Sequence, residues 1–449
     1  MDDSTDSVLS QLLVEVEACG LGTTTWQSLI AQLEKRINLE ETARAQGAFK
    51  RWREVRSASD LLRLVLVYAG CDWSLREVGI WGTVLGLAAL SKVAVRQRLL
   101  NCGAWLAQLI RALLIPATSP WADLRIRLLD TTTVTGPGTR GTDWRLHTSW
   151  DLGTLSMTDV EMTPTGQNDA ETLGRFPLRH DEIVLADQGF SYAASLVPLL
   201  AGNYPFVVRS NWRSIRLEWE DGSRVEVVAL MRTLAARQIL ERPVWVCHEG
   251  QRYRVRLIIG ALPQAQADRA RQRVHERLRK RGKTPTAETL LTAGCTLLLT
   301  NLPLVDWPAE RVLAVYRWRW HIEVYFKRLK SLLHLDQVRA RTPDLQRVYL
   351  LAKLLIALLV DQEVRAVQSA YPAWFHSSHR PVCMSALTHL FFHTFQHLLI
   401  GPLTPLRILL ALLKLERYLR ESPRKRAPLL ICALQSLAQF PAVTSTWMA

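Results

Sequence analysis

Over residues 1–115 apolar side chains recur at helical spacing, as in Leu61, Leu62, Val65 and Leu66 and in Leu99, Leu100, Trp105, Leu106 and Leu109. This stretch reads as an N-terminal helical domain. Within it, Ser74-Leu-Arg-Glu-Val-Gly and the segment from Leu90 to Leu99 have the spacing of a helix–turn–helix pair. Lys92, Arg96 and Arg98 would then face phosphates. A plain helical bundle with a solvated basic face fits the same spacing. After Pro116 and Pro120 the period shortens to that of strands. Arg125–Asp130 is a strand ending on a carboxylate. Trp144–Trp150 and Leu155–Thr163 flank Asp151-Leu-Gly as a hairpin, and a short helix is expected over Ala170–Phe176. Glu182–Asp187 is again a strand ending on a carboxylate, followed by a helix and the strand Pro205-Phe-Val-Val-Arg209. Three antiparallel strands leading into strand–helix alternation are the order of a mixed α/β sheet, so 116–210 reads as the first part of such a core.

Residues 211–295 interrupt this order. Arg224–Val228, Val244–Cys247 and Tyr253–Ile259 look like strands of a separate β-rich insertion. Its segment Arg269–Lys283 carries eight basic residues against one acid, Glu276, and reads equally as a DNA-tracking arm or an exposed helix–loop. Thr296–Thr300 resumes the sheet, and Pro308 opens a long helix through about Leu335, giving a second core part over 296–345. Residues 346–449 read as a C-terminal helical domain. Its apolar stretches Leu350–Val360 and Leu403–Leu415 are either a self-contained core or a dimerisation surface, and Arg417–Arg426 is basic.

Composition narrows the function classes. With 48% hydrophobic and 22% charged residues the chain is globular, and its net charge of +15 attracts polyanions, nucleic acid foremost. A solubilising charge excess is the competing account. Seven cysteines without any Cys-x-x-Cys spacing argue against a zinc site. Scattered as they are, behind a start (MDDSTDSVLSQLL) with no basic signal region, they point to a reducing compartment. The apolar run Leu350–Val360 is broken by Lys353 and too short for a bilayer, so no membrane partner is expected.

The most informative stretch surrounds Glu323. On an ideal helix of 100° per residue, Tyr316, Arg319, Glu323 and Lys330 fall within about 60° of one another, and Trp320 and Lys327 extend the arc to roughly 100°. Trp318, Ile322, Tyr325, Phe326, Leu329 and Leu333 take the opposite side. An ordinary amphipathic helix explains this if Glu323 pairs with Arg319 and Lys327. A metal-holding carboxylate flanked by phosphate-gripping cations and a stacking surface explains it as well.

Here the chain resembles a known family. Tyr316-x-x-Arg319-x-x-x-Glu323-x-x-x-x-x-x-Lys330 is similar to the Tyr-(2)-Arg-(3)-Glu-(6)-Lys signature of bacterial cut-and-paste transposases of the insertion-sequence-four family. Leu128-Leu-Asp130-Thr-Thr resembles that family's first-aspartate strand. Leu185-Ala-Asp187-Gln-Gly-Phe resembles the second, with Gln188 where Arg is common. The likeness runs from about residue 60 to 425. It implies an RNase H-like α/β fold, a mixed five-stranded sheet with helices, interrupted by a β-rich insertion and flanked by helical domains. It also implies a catalytic and metal-binding triad of Asp130, Asp187 and Glu323 holding two Mg²⁺ ions, with Mn²⁺ able to substitute. Tyr316, Arg319, Trp320, Lys327 and Lys330 would contact DNA. The implied partners are the double-stranded DNA of transposon ends and target and a second copy of the chain on that DNA, in a bacterial cytoplasm beside the nucleoid. Asp143, Asp151 and Asp181 read as turn residues. One departure stands out: relatives carry a Trp that stacks on a flipped base where this chain has Thr296, leaving Trp212 or Trp245 as substitutes. The rival readings are a transposase-derived DNA-binding protein that no longer cuts and an RNase H-like nuclease that never joins strands.

Overall fold

A computed structural model describes residues 25–49, 54–114, 125–138, 141–152, 156–168, 170–370 and 384–401. The expected helix at Leu403–Leu415 and the basic stretch Arg417–Arg426 lie outside them. The chain divides into two compact units, one of Met1–Trp105 with His393–Ala449 and the other of Leu106–Phe392.

The first unit is helical. It contains α1 (Trp26–Glu34), α2 (Leu39–Ala45), α3 (Ala58–Gly70), α4 (Leu75–Val84) and α5 (Lys92–Leu100), while α6 (Gly103–Leu113) leads out of it. Helix α3 is buried on nearly every side and forms its centre. Serines start the α4–α5 pair. Ser74 and Glu77 form a reciprocal capping box, and the Ser91 hydroxyl accepts from the Ala94 N–H. A Cβ at Gly79 would collide with the Leu90 carbonyl, so glycine lets α4 approach the turn before α5. Lys92 and Arg96 are exposed and Arg98 is half-buried.

In the second unit one mixed sheet takes every named strand. These are β1 (Arg125–Val134), β2 (Trp144–Asp151), β3 (Ser156–Pro164), β4 (Glu182–Ala186), β5 (Phe206–Arg209), β6 (Leu217–Glu218), β7 (Ile239–His248), β8 (Gln251–Ala261) and β9 (Cys295–Thr300), in the order β3-β2-β1-β4-β5-β9-β8-β7-β6. Strand β1 runs parallel to β4, and β4 parallel to β5; the other pairings are antiparallel. All five residues of β4 are buried, as an inner parallel strand covered on both faces requires. Leu129, Val184, Ala186, Val208, Leu257 and Leu299 point to one face, under Leu196 and Leu199 of α7 (Ala193–Ala201). The remaining helices are α8 (Val227–Arg232), α9 (Gln264–Arg279), α10 (Ala287–Ala293), α11 (Ala309–Tyr316), α12 (Trp320–Leu333), α13 (Pro343–Ala370) and α14 (Met384–Ile400), the last crossing into the first unit.

Several expectations need correction. The strands of 211–295 are not a separate piece: β8 pairs with β9 over six residues, so the sheet has nine strands among the described residues where five were expected, and what would otherwise be an open edge is covered. Arg224–Val228 is not a strand either. Arg224 makes a single bridge to Glu218, and Val227, Val228 and Met231 bury one side of α8, so packing overrides β-branched propensity. The helix expected over Ala170–Phe176 is only the 3-10 turn Leu173–Arg175. The long helix from Pro308 is two helices joined by the 3-10 turn Arg317–Arg319. At three residues per turn the tighter winding shifts the wheel, and Trp318, expected on the apolar side, is 41% exposed.

Helix α12 is held from three sides. Ile322, Tyr325, Phe326, Leu329 and Leu333 are buried, the Tyr325 ring lies 4.7 Å from that of Trp150 on β2, and the Tyr325 hydroxyl donates to Asp361 on α13 at 2.8 Å. The last anchor explains the lysine that breaks the apolar run of α13. Lys353 is 1% exposed, donates to the carbonyls of Leu333 and His334 at the end of α12, and stands 4.6 Å over the Tyr349 ring. A buried ammonium is sustained here by carbonyls at the negative end of a helix. Lys353→Met keeps the stem and removes the charge-assisted bonds. It should cost about 1.5–3 kcal/mol, read as a lower denaturation midpoint at unchanged m-value; an unaltered midpoint would contradict the capping role.

Candidate active site

Strand register brings the two aspartates together, although β1 does not end on Asp130 as expected: pairing with β2 carries it on to Val134, so Asp130 lies within the strand, while Asp187 directly follows β4. In the parallel β1–β4 pair Leu128 stands opposite Leu185, and the same offset carried two residues on places Asp130 level with Asp187. Leu129 and Ala186 belong to the core cluster on one face. Side chains alternate along a strand, so both aspartates fall on the opposite face, about 4.8 Å apart in the strand-spacing direction. Each is oriented by a backbone N–H: Thr131 donates to Asp130 Oδ1 at 2.8 Å and Gly189 to Asp187 Oδ1 at 2.7 Å. The Glu171 carboxylate lies where a Cβ at Gly189 of the Asp187-Gln-Gly-Phe run would stand, so glycine leaves room for that carboxylate beside Asp187.

Glu323 enters from the first turn of α12. Arg319, only 9% exposed, joins it to the sheet by pairing with Glu323 and lying 3.7 Å from Asp130 Oδ2. Burial above all pushes the Asp130 carboxyl up to about 7, with Asp187 and Glu323 adding to the rise and the Thr131 N–H and Arg319 opposing it. Asp130 thus feels both other carboxylates, and one guanidinium lies beside Asp130 and Glu323. Among the described residues no three His, Cys, Asp or Glu side chains converge closely enough to hold an ion as they stand.

The structure sorts the other expected residues. Tyr316 is buried beside Arg319, whose guanidinium lies 6.0 Å from its ring, and burial pushes its phenol up to about 12. Trp320 is 53% exposed, and the Lys327 ammonium stands 4.6 Å over its ring. Lys330 lines a cleft of about 700 Å³ with Thr133 of β1, with Thr135 just beyond it, and with Arg339 and Arg341. Of the two substitute tryptophans, Trp212 lies three residues beyond Arg209, which ends β5. Trp245 pairs with Arg254, toward the opposite edge of the sheet from the aspartates.

Two charged neighbours of the aspartates went unnoticed in the sequence. Arg209 follows Val208, the partner of Ala186, so it stands level with Asp187 on the same face, and its charge reaches the Tyr316 phenol. Its signal was the same as that of Asp187, a charge at the end of a short apolar strand. Glu171 lies near Asp187, with its carboxyl raised by burial first and by Asp187 second, and 3.5 Å from Arg145. Lying 16 residues from Asp187 outside any regular strand, it left no comparable signal.

The carboxylates Asp130 and Asp187, level on adjacent strands, with Glu323 and Arg319 beside Asp130, make an acidic cluster of the kind that can hold divalent cations. Residues 121–359 match the transposase DDE domain family, and the chain belongs to that family: it is a DNA-cleaving transposase. It is 38% identical over 349 residues to the putative transposase InsL for insertion sequence element IS186A of Escherichia coli (strain K12), covering 76% of this chain and 94% of that one. It is 39% identical over 350 residues to the transposase for insertion sequence element IS421 of Escherichia coli, with the same coverage. A piggyBac transposase synaptic complex with hairpin DNA superposes with a TM-score of 0.46 over 93% of this chain and 91% of that one, at 10% identity.

The raised Asp130 carboxyl has a consequence for stability. The unfolded chain releases this proton near its ordinary 3.8 and the folded chain near 7. The folded form is therefore penalised progressively between those values and fully above them. Asp130→Asn should leave the melting temperature in metal-free buffer at about pH 8 no lower than that of the wild type, and should flatten its decline with pH. A lower melting temperature in thermal scans at that pH would show Asp130 to be a structural ion-pair partner instead.

Proposed function

We propose that this transposase works by the cut-and-paste route of the insertion-sequence-four family, cutting at terminal inverted repeats with Asp130, Asp187 and Glu323. The observation that carries the proposal is the level register of Asp130 and Asp187 with Glu323 within electrostatic reach. The antiparallel β3-β2-β1 followed by parallel β4 and β5 supports an RNase H-like core, on which the β7–β8 insertion is an extension. The corresponding division into parts is 1–115, 116–210, 211–295, 296–345 and 346–449, with DNA binding in the first and dimerisation on DNA in the last.

The chemistry of the donor set, though not yet its spacing, suits divalent ions of the Mg²⁺ type: three hard carboxylates, with Asp130 repelled by the other two. Asp130, Asp187 and Glu323 would hold two Mg²⁺ or Mn²⁺ ions, which when bound stabilise the leaving oxygen and lower the cost of forming hydroxide. The Thr131 and Gly189 N–H groups keep the aspartate oxygens aimed. Water attacks the phosphodiester first and frees a 3′-OH. That hydroxyl attacks the opposite strand to close a hairpin, and after the hairpin is opened it attacks the target. Arg319 and Lys330 hold backbone phosphates, Tyr316 buttresses Arg319, and Lys327 and Trp320 present an exposed cation–aromatic pair for bases at the cut end. Of the two tryptophans only Trp212 follows a strand at the aspartate end of the sheet, and it packs against the core cluster of the other face.

Asp130→Ala, Asp187→Ala and Glu323→Ala should each abolish Mg²⁺-dependent cleavage of end DNA, by at least about a thousandfold as expected when electrostatic transition-state stabilisation is lost, while gel-shift affinity persists. Substantial cutting by any one variant would remove that residue from the triad, and wild-type protein that binds but never cuts would favour a silent DNA-binding protein. Arg319→Ala and Lys330→Ala should still nick but accumulate nicked DNA with little hairpin or excised product. Wild-type product ratios in a time course would return Arg319 to a purely structural pairing with Glu323.

A further inference from the structure

We infer that α9 is a second DNA contact, a track for the backbone of duplex lying beyond the cut site. The placement comes from strand register. Asp187 is level with Arg209, Arg209 pairs with Leu298 on β9, and Leu298 pairs with Ile258 on β8. The end of β8, at Ala261, therefore lies on the same edge of the sheet as the aspartates, and α9 starts three residues later. From β4 to β8 is three strand spacings, about 14 Å. The helix springs from the carboxylate edge within reach of any duplex seated there.

The two sides of α9 differ. Ala267 is buried, and Ala270, Arg271, Val274 and Leu278 are half-buried, which makes an anchoring stripe at helical spacing. Arg271 belongs to that anchor: its Nε donates to the Leu290 carbonyl of α10 at 3.3 Å and its Nη1 pairs with Asp268 at 2.9 Å. Arg269, Arg273, Arg277 and Lys280 are exposed. At 100° per residue they share an arc of about 80°, and at 1.5 Å rise they span about 16 Å. Duplex DNA carries a charge every 1.7 Å or so, hence about nine over that length. Among the described residues these four cations form no ion pair, and the one acid on their side, Glu276, is engaged by Gln272 at 3.3 Å.

A solvated structural helix gains from acid–base pairs at four-residue spacing, whereas Arg269, Arg273 and Arg277 are like charges at that spacing and disfavour the helix. The dipole favours cations in the last turn but does not account for Arg269 and Arg273, which stand earlier. The stripe is load carried for a partner. Its fit is to phosphates without base readout, so the contact is independent of sequence.

The inference rests on the carboxylate edge being where DNA is cut, and one experiment separates the two. The full chain and its Arg269→Gln/Arg273→Gln/Arg277→Gln/Lys280→Gln variant are titrated with an arbitrary-sequence duplex across a salt series. At about 0.9 per phosphate, the slope of log affinity against log salt should fall by about three to four. An Arg→Lys set at 269, 273 and 277 should restore it, and metal-dependent nicking at low salt should persist in both. Hydrogen exchange over 264–283 should slow when duplex is added to the wild type, a readout that does not depend on the variant folding. An unchanged slope, or absence of that protection, overturns the track. A Lys set as weak as the Gln set overturns it in favour of a role in folding. Loss of binding to anionic lipid vesicles with the DNA slope intact overturns it in favour of a membrane surface. Absence of nicking by the wild type would instead count against the cleavage mechanism and leave the slope comparison standing.

Discussion

Parallel pairing of β1 with β4 is the constraint on which the candidate site depends. Side chains alternate strictly along a strand, so a slip of one residue would turn Asp130 into the core face that Leu129 now fills. The pairing is secured by burial on both sides of β4, which leaves no tolerance for an alternative register. Two acids held level on adjacent strands repel, and one of them is mostly buried. The fold accepts a destabilised carboxyl at Asp130 in order to keep it beside Asp187 and Glu323.

What makes this tolerable is Arg319. Its guanidinium, nearly buried, pairs with Glu323 and lies beside Asp130, so the same residue joins α12 to the sheet and balances part of the acid charge. Its location follows from the 3-10 turn that joins α11 to α12. There the chain winds tightly, turns Trp318 outward, and leaves Tyr316 and Arg319 buried together. Both ends of α12 are tied down independently, at Glu323 by Arg319 and at Leu333 by Lys353. A glutamate on a rigid, doubly anchored helix is better positioned than one on a loop.

The sheet also relates parts that the chain order separates. The insertion between β5 and β9 adds β6, β7 and β8 to the same sheet, and α9 emerges on the edge that bears the aspartates. A basic helix far along the chain from Asp130 is thereby brought to the side of the molecule where DNA is proposed to lie. Arg209 arrives there by the same route, as the terminal residue of a strand that runs parallel to β4.

Much of this was legible beforehand, because it is local. The strands that carry Asp130 and lead to Asp187 were visible from alternation, although β1 runs on to Val134 instead of ending at Asp130. Glu323 stood out by its spacing from Tyr316, Arg319 and Lys330, and Lys353 already marked α13 as unsuited to a membrane. The signature spacing was informative even though the ideal helix used to read it was interrupted. What the sequence by itself determined was thus the candidate carboxylates Asp130, Asp187 and Glu323 and the kind of element carrying each. What only the tertiary structure decided was which of them meet. The level register of Asp130 with Asp187, the nearness of Glu171 and Arg209, and the union of the insertion with the core sheet all depend on pairings between residues far apart in the chain. Backbone hydrogen bonds between strands are chemically identical at every register. The choice among them is made by the burial of whole faces, which no local stretch of sequence contains.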